Sequence, residues 1–234
     1  MPTQPSYRAH AIAAGIFFVI ATGFLFLGES FYGSGLTPPN VLEKAAAARG
    51  QIVTGLLIEF FCVLAIPFIA IVLYPVLRRV SPVIAIGYLA FRLFEAIMFA
   101  MIEVQRMLIL AISEAHLASP DLDTGSLELM ITAINAGDPW TSTTGLFYNI
   151  VFLTGMVMLN WALWTSRLLP RVISGWGLLS TLPLLSVSII GQYVHIDPGI
   201  AIPMILPLAV QEMALALWLI IKGFRPEALA RLPD

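Results

Sequence analysis

Charged side chains are scarce in this sequence: Asp, Glu, Lys and Arg make up only 11 % of its 234 residues. An ordinary soluble domain carries about 25 %. Hydrophobic residues make up 59 %, which is more apolar surface than a soluble chain of this length can bury in its own interior. We therefore predict that lipid is the solvent for most of the side chains.

Several kinds of functional site are missing as well. The single cysteine, Cys62, excludes an internal disulfide and a multi-cysteine metal site, and its apolar surroundings favour a packing role. A net charge of −2 argues against nucleic-acid binding, which needs a basic surface. We find no Walker loop, dinucleotide-binding glycine motif, H-E-x-x-H motif, nucleophile elbow or pair of haem-ligating histidines. The sequence therefore contains no recognisable motif for a nucleotide, a metal or another cofactor.

Long apolar runs are what the sequence does contain. Six of them approach or exceed the roughly 20 residues that cross a bilayer. They cover residues 11–28, 52–77, 83–111, 143–165, 172–192 and 199–222. The first run is longer than a signal-peptide core of about 7–15 residues, and no small-residue cleavage site follows it. We predict an all-α bundle of six transmembrane helices that forms one integral membrane domain over residues 1–234.

Local signals add detail to these helices. Ser81 and Pro82 are predicted to cap and open the third span. Residues 40–49 begin with Asn40 in a capping-box-like pattern and predict a short interfacial helix. Residues 126–135 predict a second one, either a lid or a simple cover of the bundle. Prolines predict kinks or local unwinding in the second and sixth spans: Pro67, Pro75, Pro203 and Pro207.

The basic residues indicate an orientation. If the N-terminus is cytoplasmic, eight of the 12 Lys and Arg residues fall on the cytoplasmic side and only Lys44 and Arg49 on the other. Basic residues concentrate on the cytoplasmic side of membrane proteins. We therefore predict a multi-pass protein of the cell inner (plasma) membrane, with both termini in the cytoplasm.

Six ionisable residues lie inside the predicted spans: Glu59, Arg92, Glu95, Glu103, Arg106 and Glu212. Each costs about 2.5–3.5 kcal/mol or more to insert, and such residues mark functional sites by default. At about 100° per residue, the four on the third span fall within about 80° of one another. That face is predicted to point into the bundle. The pairs Arg92–Glu95 and Glu103–Arg106 have i, i+3 spacing and can each neutralise themselves, which leaves Glu59 and Glu212 without a formal partner.

These residues predict a polar cavity in the outer half of the bundle, floored by Arg92, Glu95 and Glu212. Asn149 on the fourth span is predicted to extend it. Buried ion pairs also serve as structural links between helices, so the alternative of purely structural charges stays open.

The order and spacing of several short motifs add a family resemblance. The chain resembles a bacterial family of multi-pass membrane proteins catalogued as domain of unknown function 4386. The resemblance rests on Tyr7-Arg8 and Gly15, Leu73-Tyr74-Pro75 with Arg78-Arg79, Arg92-Leu93-x-Glu95, Pro170-Arg171 with Gly175, and Glu212 through Leu217-Trp218-Leu219 to Lys222-Gly223-Phe224. It implies a bundle of six or seven helices and carries no assigned activity.

Three functions remain open at this level. In the first, the cavity binds or processes a lipid-like or amphipathic small molecule, with Glu59 and Glu103 as hypothetical catalytic acid and base. Arg92, Glu95, Arg106, Asn149 and Glu212 are then the predicted binding residues. In the second, the protein is a proton-coupled transporter of a small molecule. In the third, it is an accessory or structural membrane protein. Membrane lipid is the expected partner, with a homodimer as a further possibility.

Overall fold

The computed structural model describes residues 7–119, 121–136 and 143–233. These ranges are helical and contain no β-strand. Six helices are long and apolar enough to cross a membrane. They are α1 (Arg8–Tyr32), α3 (Arg49–Val80), α4 (Pro82–Ala118), α6 (Thr143–Ser166), α7 (Arg171–Ile190) and α8 (Pro198–Ile221). Shorter elements are a 3₁₀ turn (Gly33–Leu36), α2 (Val41–Ala47), α5 (Thr124–Asn135) and α9 (Pro226–Leu229). The predicted all-α architecture with six spans is confirmed.

The six long helices form a closed ring. Helix α1 packs against α3, α3 against α4, α4 against α6, α6 against α7, α7 against α8, and α8 returns to α1. The main apolar core lies inside this ring and includes Phe18, Ile69, Tyr88 and Leu159. Large apolar side chains such as Leu57, Ile97 and Val172 lie exposed on the outside. This distribution is the one expected where lipid surrounds the helices.

The two ends of the ring differ. At one end, which we call the terminal end, Arg8 donates hydrogen bonds to the carbonyl oxygens of Leu219 (3.1 Å) and Ile220 (2.5 Å), the unpaired carbonyls that end α8. Arg79 donates to the carbonyl of Leu232 (3.0 Å). The first and last described segments of the chain therefore lie at the same end of the ring, as an even number of spans requires. That they face the cytoplasm stays a prediction.

The opposite end, which we call the connector end, carries α2 and α5. Helix α4 has 37 residues and at 1.5 Å per residue extends about 55 Å, well beyond the ~30 Å of hydrocarbon. Its last turns bury Ile109 and Leu110 against Leu42 of α2 and Ile131 of α5. The Ser113 hydroxyl donates to the carbonyl of Leu42. The connector end therefore contains a small second apolar core, to which α2, α4 and α5 contribute.

Some local predictions are confirmed and others are wrong. The Ser81 hydroxyl accepts from the Ile84 backbone N–H (3.4 Å), with Pro82 as first residue of α4, as predicted. Asn40 makes no side-chain cap; its φ of 59° places it in the left-handed region, which asparagine tolerates better than most residues. Asp123 caps α5, and its hydrogen bonds from the hydroxyl and N–H of Ser126 hold the pKa of this carboxyl below its usual range.

The prolines do not interrupt their helices. Helix α3 continues through Pro67 and Pro75, and α8 continues through Pro203 and Pro207. Local unwinding, one of the two predicted effects, is therefore wrong at all four positions, and the other, a kink, stays a prediction. Each proline removes one backbone donor, and the surrounding turns keep their own hydrogen bonds in the membrane, where no water competes for them.

Candidate functional site

Three ionisable residues meet inside the ring; we call Arg92, Glu95 and Glu212 the central group. Arg92 Nη1 donates to Glu95 Oε2 at 2.8 Å, which confirms the predicted i, i+3 pair. Arg92 and Glu95 are 1 % and 2 % exposed, and Glu212 on α8 is 9 % exposed. Arg92 lies about 15 Å from the start of α4, which is half of the ~30 Å hydrocarbon thickness. The ion pair is therefore expected near the middle of the membrane.

A recess with a volume of about 80 Å³ adjoins this group, and we call it the central recess. All three residues of the central group line it. Its other walls include Thr22, Phe26, Phe99, Tyr148, Phe152 and Ala209. On this measure a cavity of about 10–15 Å³ holds one water molecule, so the recess has room for a small polar group and not for a large molecule. Phe26 is 58 % exposed on the outside of the ring, which places one wall of the recess at the lipid.

Close helix contacts on either side explain where the recess lies. At Gly15, α1 approaches α8 so closely that an added Cβ would lie 2.6 Å from the carbonyl oxygen of Ala216. At Gly28, α1 approaches α3, and a Cβ would lie 2.6 Å from the carbonyl oxygen of Gly55. Only glycine permits such approaches. Thr22 stands about midway between these two contacts, where α1 lines the recess.

Hydrogen bonding in and around the central group is incomplete. Within the described part of the chain, the Glu212 carboxylate forms no hydrogen bond and no ion pair, although its neighbour Gln211 donates to Asn160 Oδ1 and to the Ile173 carbonyl, both at 3.2 Å. The Nε of Arg92 and the hydroxyl of Tyr88 are also buried without a hydrogen-bond partner there. Buried polar groups are normally hydrogen-bonded. The central group therefore has unused hydrogen-bonding capacity, which a purely structural contact between helices is not expected to leave.

A second set of ionisable residues lies nearer the connector end; we call Tyr32, Glu59, Glu103 and Arg106 the boundary group. Arg106 Nη1 donates to Glu59 Oε2 on α3 and, at 3.0 Å, to Glu103 Oε1 on its own helix. The Tyr32 hydroxyl donates to the other oxygen of Glu59 at 2.6 Å. Arg106 is about 36 Å from the start of α4, beyond one hydrocarbon thickness. We therefore expect this group at the membrane boundary.

The boundary group has its own recess. A volume of about 90 Å³ lies between it and the connector end, with Tyr32, Gln105, Arg106 and Asn135 among its walls. Asn135, at the end of α5, donates to the carbonyl of Leu36 at 3.1 Å. Helix α5 therefore stands beside this second recess, not beside the central one.

The sequence-predicted residues thus divide between two places. Arg92, Glu95 and Glu212 meet at the central recess, while Glu59, Glu103 and Arg106 meet at the boundary. The expectation that Glu59 has no partner is wrong, because Arg106 reaches across from α4 to α3; Glu212 does lack one in the described chain. Asn149 lines neither recess: its amide donates to the Ser188 hydroxyl (2.9 Å) and connects α6 to α7.

Tyr32 is a member of the boundary group that the sequence did not single out. It lies beyond residue 28, where the apolar run ends, and it is 27 positions from Glu59 in the chain. Only the approach of α1 to α3 at Gly28 and Gly55 brings the two side chains together. The signal for this contact in the sequence is a glycine near the same end of two successive spans, Gly28 and Gly55.

Replacing Tyr32 by phenylalanine tests the boundary group. The change removes one donor from the buried Glu59 carboxylate, and we expect the free energy of unfolding to fall by about 1–2 kcal/mol. Unfolding of the micellar protein by sodium dodecyl sulfate, followed by tryptophan fluorescence, measures it. Tyr193→Phe is the matched control because Tyr193 is 85 % exposed. Equal stability of the two variants would contradict the importance of the Tyr32–Glu59 hydrogen bond.

The ring of six apolar helices with charged groups in its interior defines an integral membrane protein. Residues 13–223 match the family model of a domain of unknown function (DUF4386). The chain belongs to this family, as the resemblance predicted. No curated protein and no solved structure matches the chain.

Proposed function

We propose that the protein binds a lipid-like or amphipathic small molecule in the central recess. The polar end of the molecule lies against the central group, and its apolar part extends between helices toward the lipid. The observation that carries the proposal is Glu212: a carboxylate nine-tenths buried, on the wall of a recess, with no partner among the described residues.

The walls of the recess match such a molecule. Phe99, Tyr148 and Phe152 form a continuous aromatic surface, with ring centroids 6.2 Å and 6.4 Å apart. Apolar and aromatic walls with a few convergent polar groups are typical of small-molecule sites. The partly exposed Phe26 and Ala209 offer a side entrance from the membrane, the route that an apolar molecule dissolved in lipid would take.

Burial energetics also favour a ligand at this place. An ionised carboxylate in hydrocarbon is costly unless it is paired. A ligand that supplies a hydrogen-bond donor or a charge to Glu212 recovers part of that energy, so the recess prefers molecules with a polar end. The candidate acid and base, Glu59 and Glu103, belong to the boundary group, and the binding proposal does not depend on them.

Filling the recess tests the proposal. Ala209→Leu replaces a methyl group on the recess wall by an isobutyl group. The control Val210→Leu introduces the same isobutyl group, in place of an isopropyl group, at the next position, which is 45 % exposed on the outside of the ring. Each protein is reconstituted in phosphatidylcholine nanodiscs, and retained molecules are extracted and identified by mass spectrometry against empty nanodiscs. We expect the wild type and Val210→Leu to retain one compound class that Ala209→Leu loses. Equal retention by all three, or none by the wild type, contradicts the proposal.

A further inference from the structure

We infer that the molecule held in the central recess is a cation: an amphipathic amine whose ammonium group pairs with Glu212. This inference rests on the binding function proposed above and adds the chemical class of the ligand. It follows from the charges that face the recess, from their existing partners and from the rings around them.

The charges around the recess do not balance. Arg92 is the only basic residue on its described walls, and it is already engaged with Glu95 at 2.8 Å. Glu212 adds a second carboxylate to the same recess. Helices α1, α3 and α6 contribute uncharged residues there, such as Thr22, Cys62 and Tyr148. With both carboxylates ionised, the recess carries one unmatched negative charge, which a ligand with a single positive charge neutralises.

An anionic ligand fits this arrangement poorly. Its carboxylate or phosphate would have to displace Glu95 from Arg92 while two carboxylates of the protein stand close by. Such like-charge contacts are strongly unfavourable in a region with little water. A neutral alcohol could donate one hydrogen bond to Glu212 but would leave its charge unpaired. Electrostatics therefore rank the three head groups as amine, alcohol, acid.

The aromatic rings support the same choice. Phe99, Tyr148 and Phe152 line the recess together with Glu212. Aromatic faces attract cations by about 0.5–2 kcal/mol, with the larger values where water is excluded. The protein already uses this contact for Arg92, whose guanidinium carbon lies 5.9 Å from the centre of the Tyr88 ring. A carboxylate beside several rings is a combination that suits an ammonium group with an attached apolar chain.

Three ligands with the same chain and different head groups test the inference: decylamine, decanol and decanoate. Their affinities are measured by calorimetric titration of the full-length protein in phosphatidylcholine nanodiscs, with empty nanodiscs subtracted. We expect decylamine to bind the wild type most tightly. We expect Glu212→Gln to weaken decylamine binding about 30-fold or more, and to change decanol binding only a few-fold. Glu227→Gln, at an exposed carboxylate of α9, is the matched control and should leave all three affinities unchanged.

The outcomes separate the two proposals. Tighter binding of decanol or decanoate than of decylamine overturns the amine inference, and loss of that binding in Ala209→Leu keeps the proposed function. Unchanged decylamine affinity in Glu212→Gln also overturns the inference. If none of the three ligands binds above the empty-nanodisc level, both proposals fail. The wild-type ranking needs no variant, so the test stands even if Glu212→Gln does not fold.

Discussion

Replacing Arg92 by methionine is expected to lower the free energy of unfolding by about 3–5 kcal/mol. The substitution removes the Arg92 guanidinium that lies 2.8 Å from Glu95 and leaves two carboxylates, Glu95 and Glu212, in one recess. Both must then take up protons or remain as uncompensated charges in the interior of a membrane protein, and either outcome destabilises the folded state. Detergent unfolding followed by tryptophan fluorescence measures the change.

The double variant Arg92→Met/Glu95→Met provides the most decisive test of this prediction. Replacing a whole buried ion pair by apolar residues of similar size is often neutral or stabilising, whereas removing one partner is strongly destabilising. We therefore expect the double variant to be more stable than Arg92→Met, although it carries one more substitution. Arg78→Met is the control, because the exposed Arg78 should change stability by no more than about 0.5 kcal/mol. A double variant less stable than the single one would contradict the account.

The same variants separate structure from binding. If the double variant folds and no longer retains a small molecule, the ion pair serves the recess and not only the packing of the ring. If it folds and retains the molecule as the wild type does, the pair is a structural link, the alternative that the sequence left open.

The positions of the six spans are predictable from the sequence because the membrane imposes a simple rule on their length and hydropathy. A span needs about 20 apolar residues, and the predicted third span, 83–111, lies inside α4 (Pro82–Ala118). The largest differences occur at the connector end, where α1 continues past residue 28 to Tyr32 and α4 past residue 111 to Ala118. Hydropathy marks the hydrocarbon, whereas helical hydrogen bonds persist into the polar region beyond it. Tyr32, the boundary-group residue on α1, lies in that additional length, and for this reason it escaped notice.

Neighbours on one face of α4 are predictable because the helix itself fixes them. The predicted pairs Arg92–Glu95 and Glu103–Arg106 both form. Contacts between helices lack such a rule. Arg106 reaches Glu59, 47 residues earlier in the chain, only because α3 and α4 pack at one particular height. The sequence assigned these charges to one place, whereas in the structure they form two groups, because helix heights decide which charges meet.

Substituting alanine for Gly28 is expected to lower the free energy of unfolding by about 2–3 kcal/mol. The new Cβ would overlap Cγ of Glu59 and would lie 2.6 Å from the carbonyl oxygen of Gly55. A backbone oxygen cannot rotate away as a flexible side chain can, so α1 and α3 must separate. Gly23→Ala, five residues earlier on α1, is the matched control because nothing lies within 4 Å of a Cβ there. It should leave stability unchanged or raise it by up to about 1 kcal/mol.

Separation of α1 from α3 has consequences at both sites, which makes the variant a test of the architecture and not only of one contact. It pulls Tyr32 away from Glu59, whose hydrogen bond is 2.6 Å long, so Gly28→Ala and Tyr32→Phe should be less than additive when combined. It also moves the stretch of α1 around Thr22 that lines the central recess. We therefore expect Gly28→Ala to weaken retention of the bound molecule while Gly23→Ala does not. Full additivity with Tyr32→Phe would mean that the glycine contact does not position the boundary group.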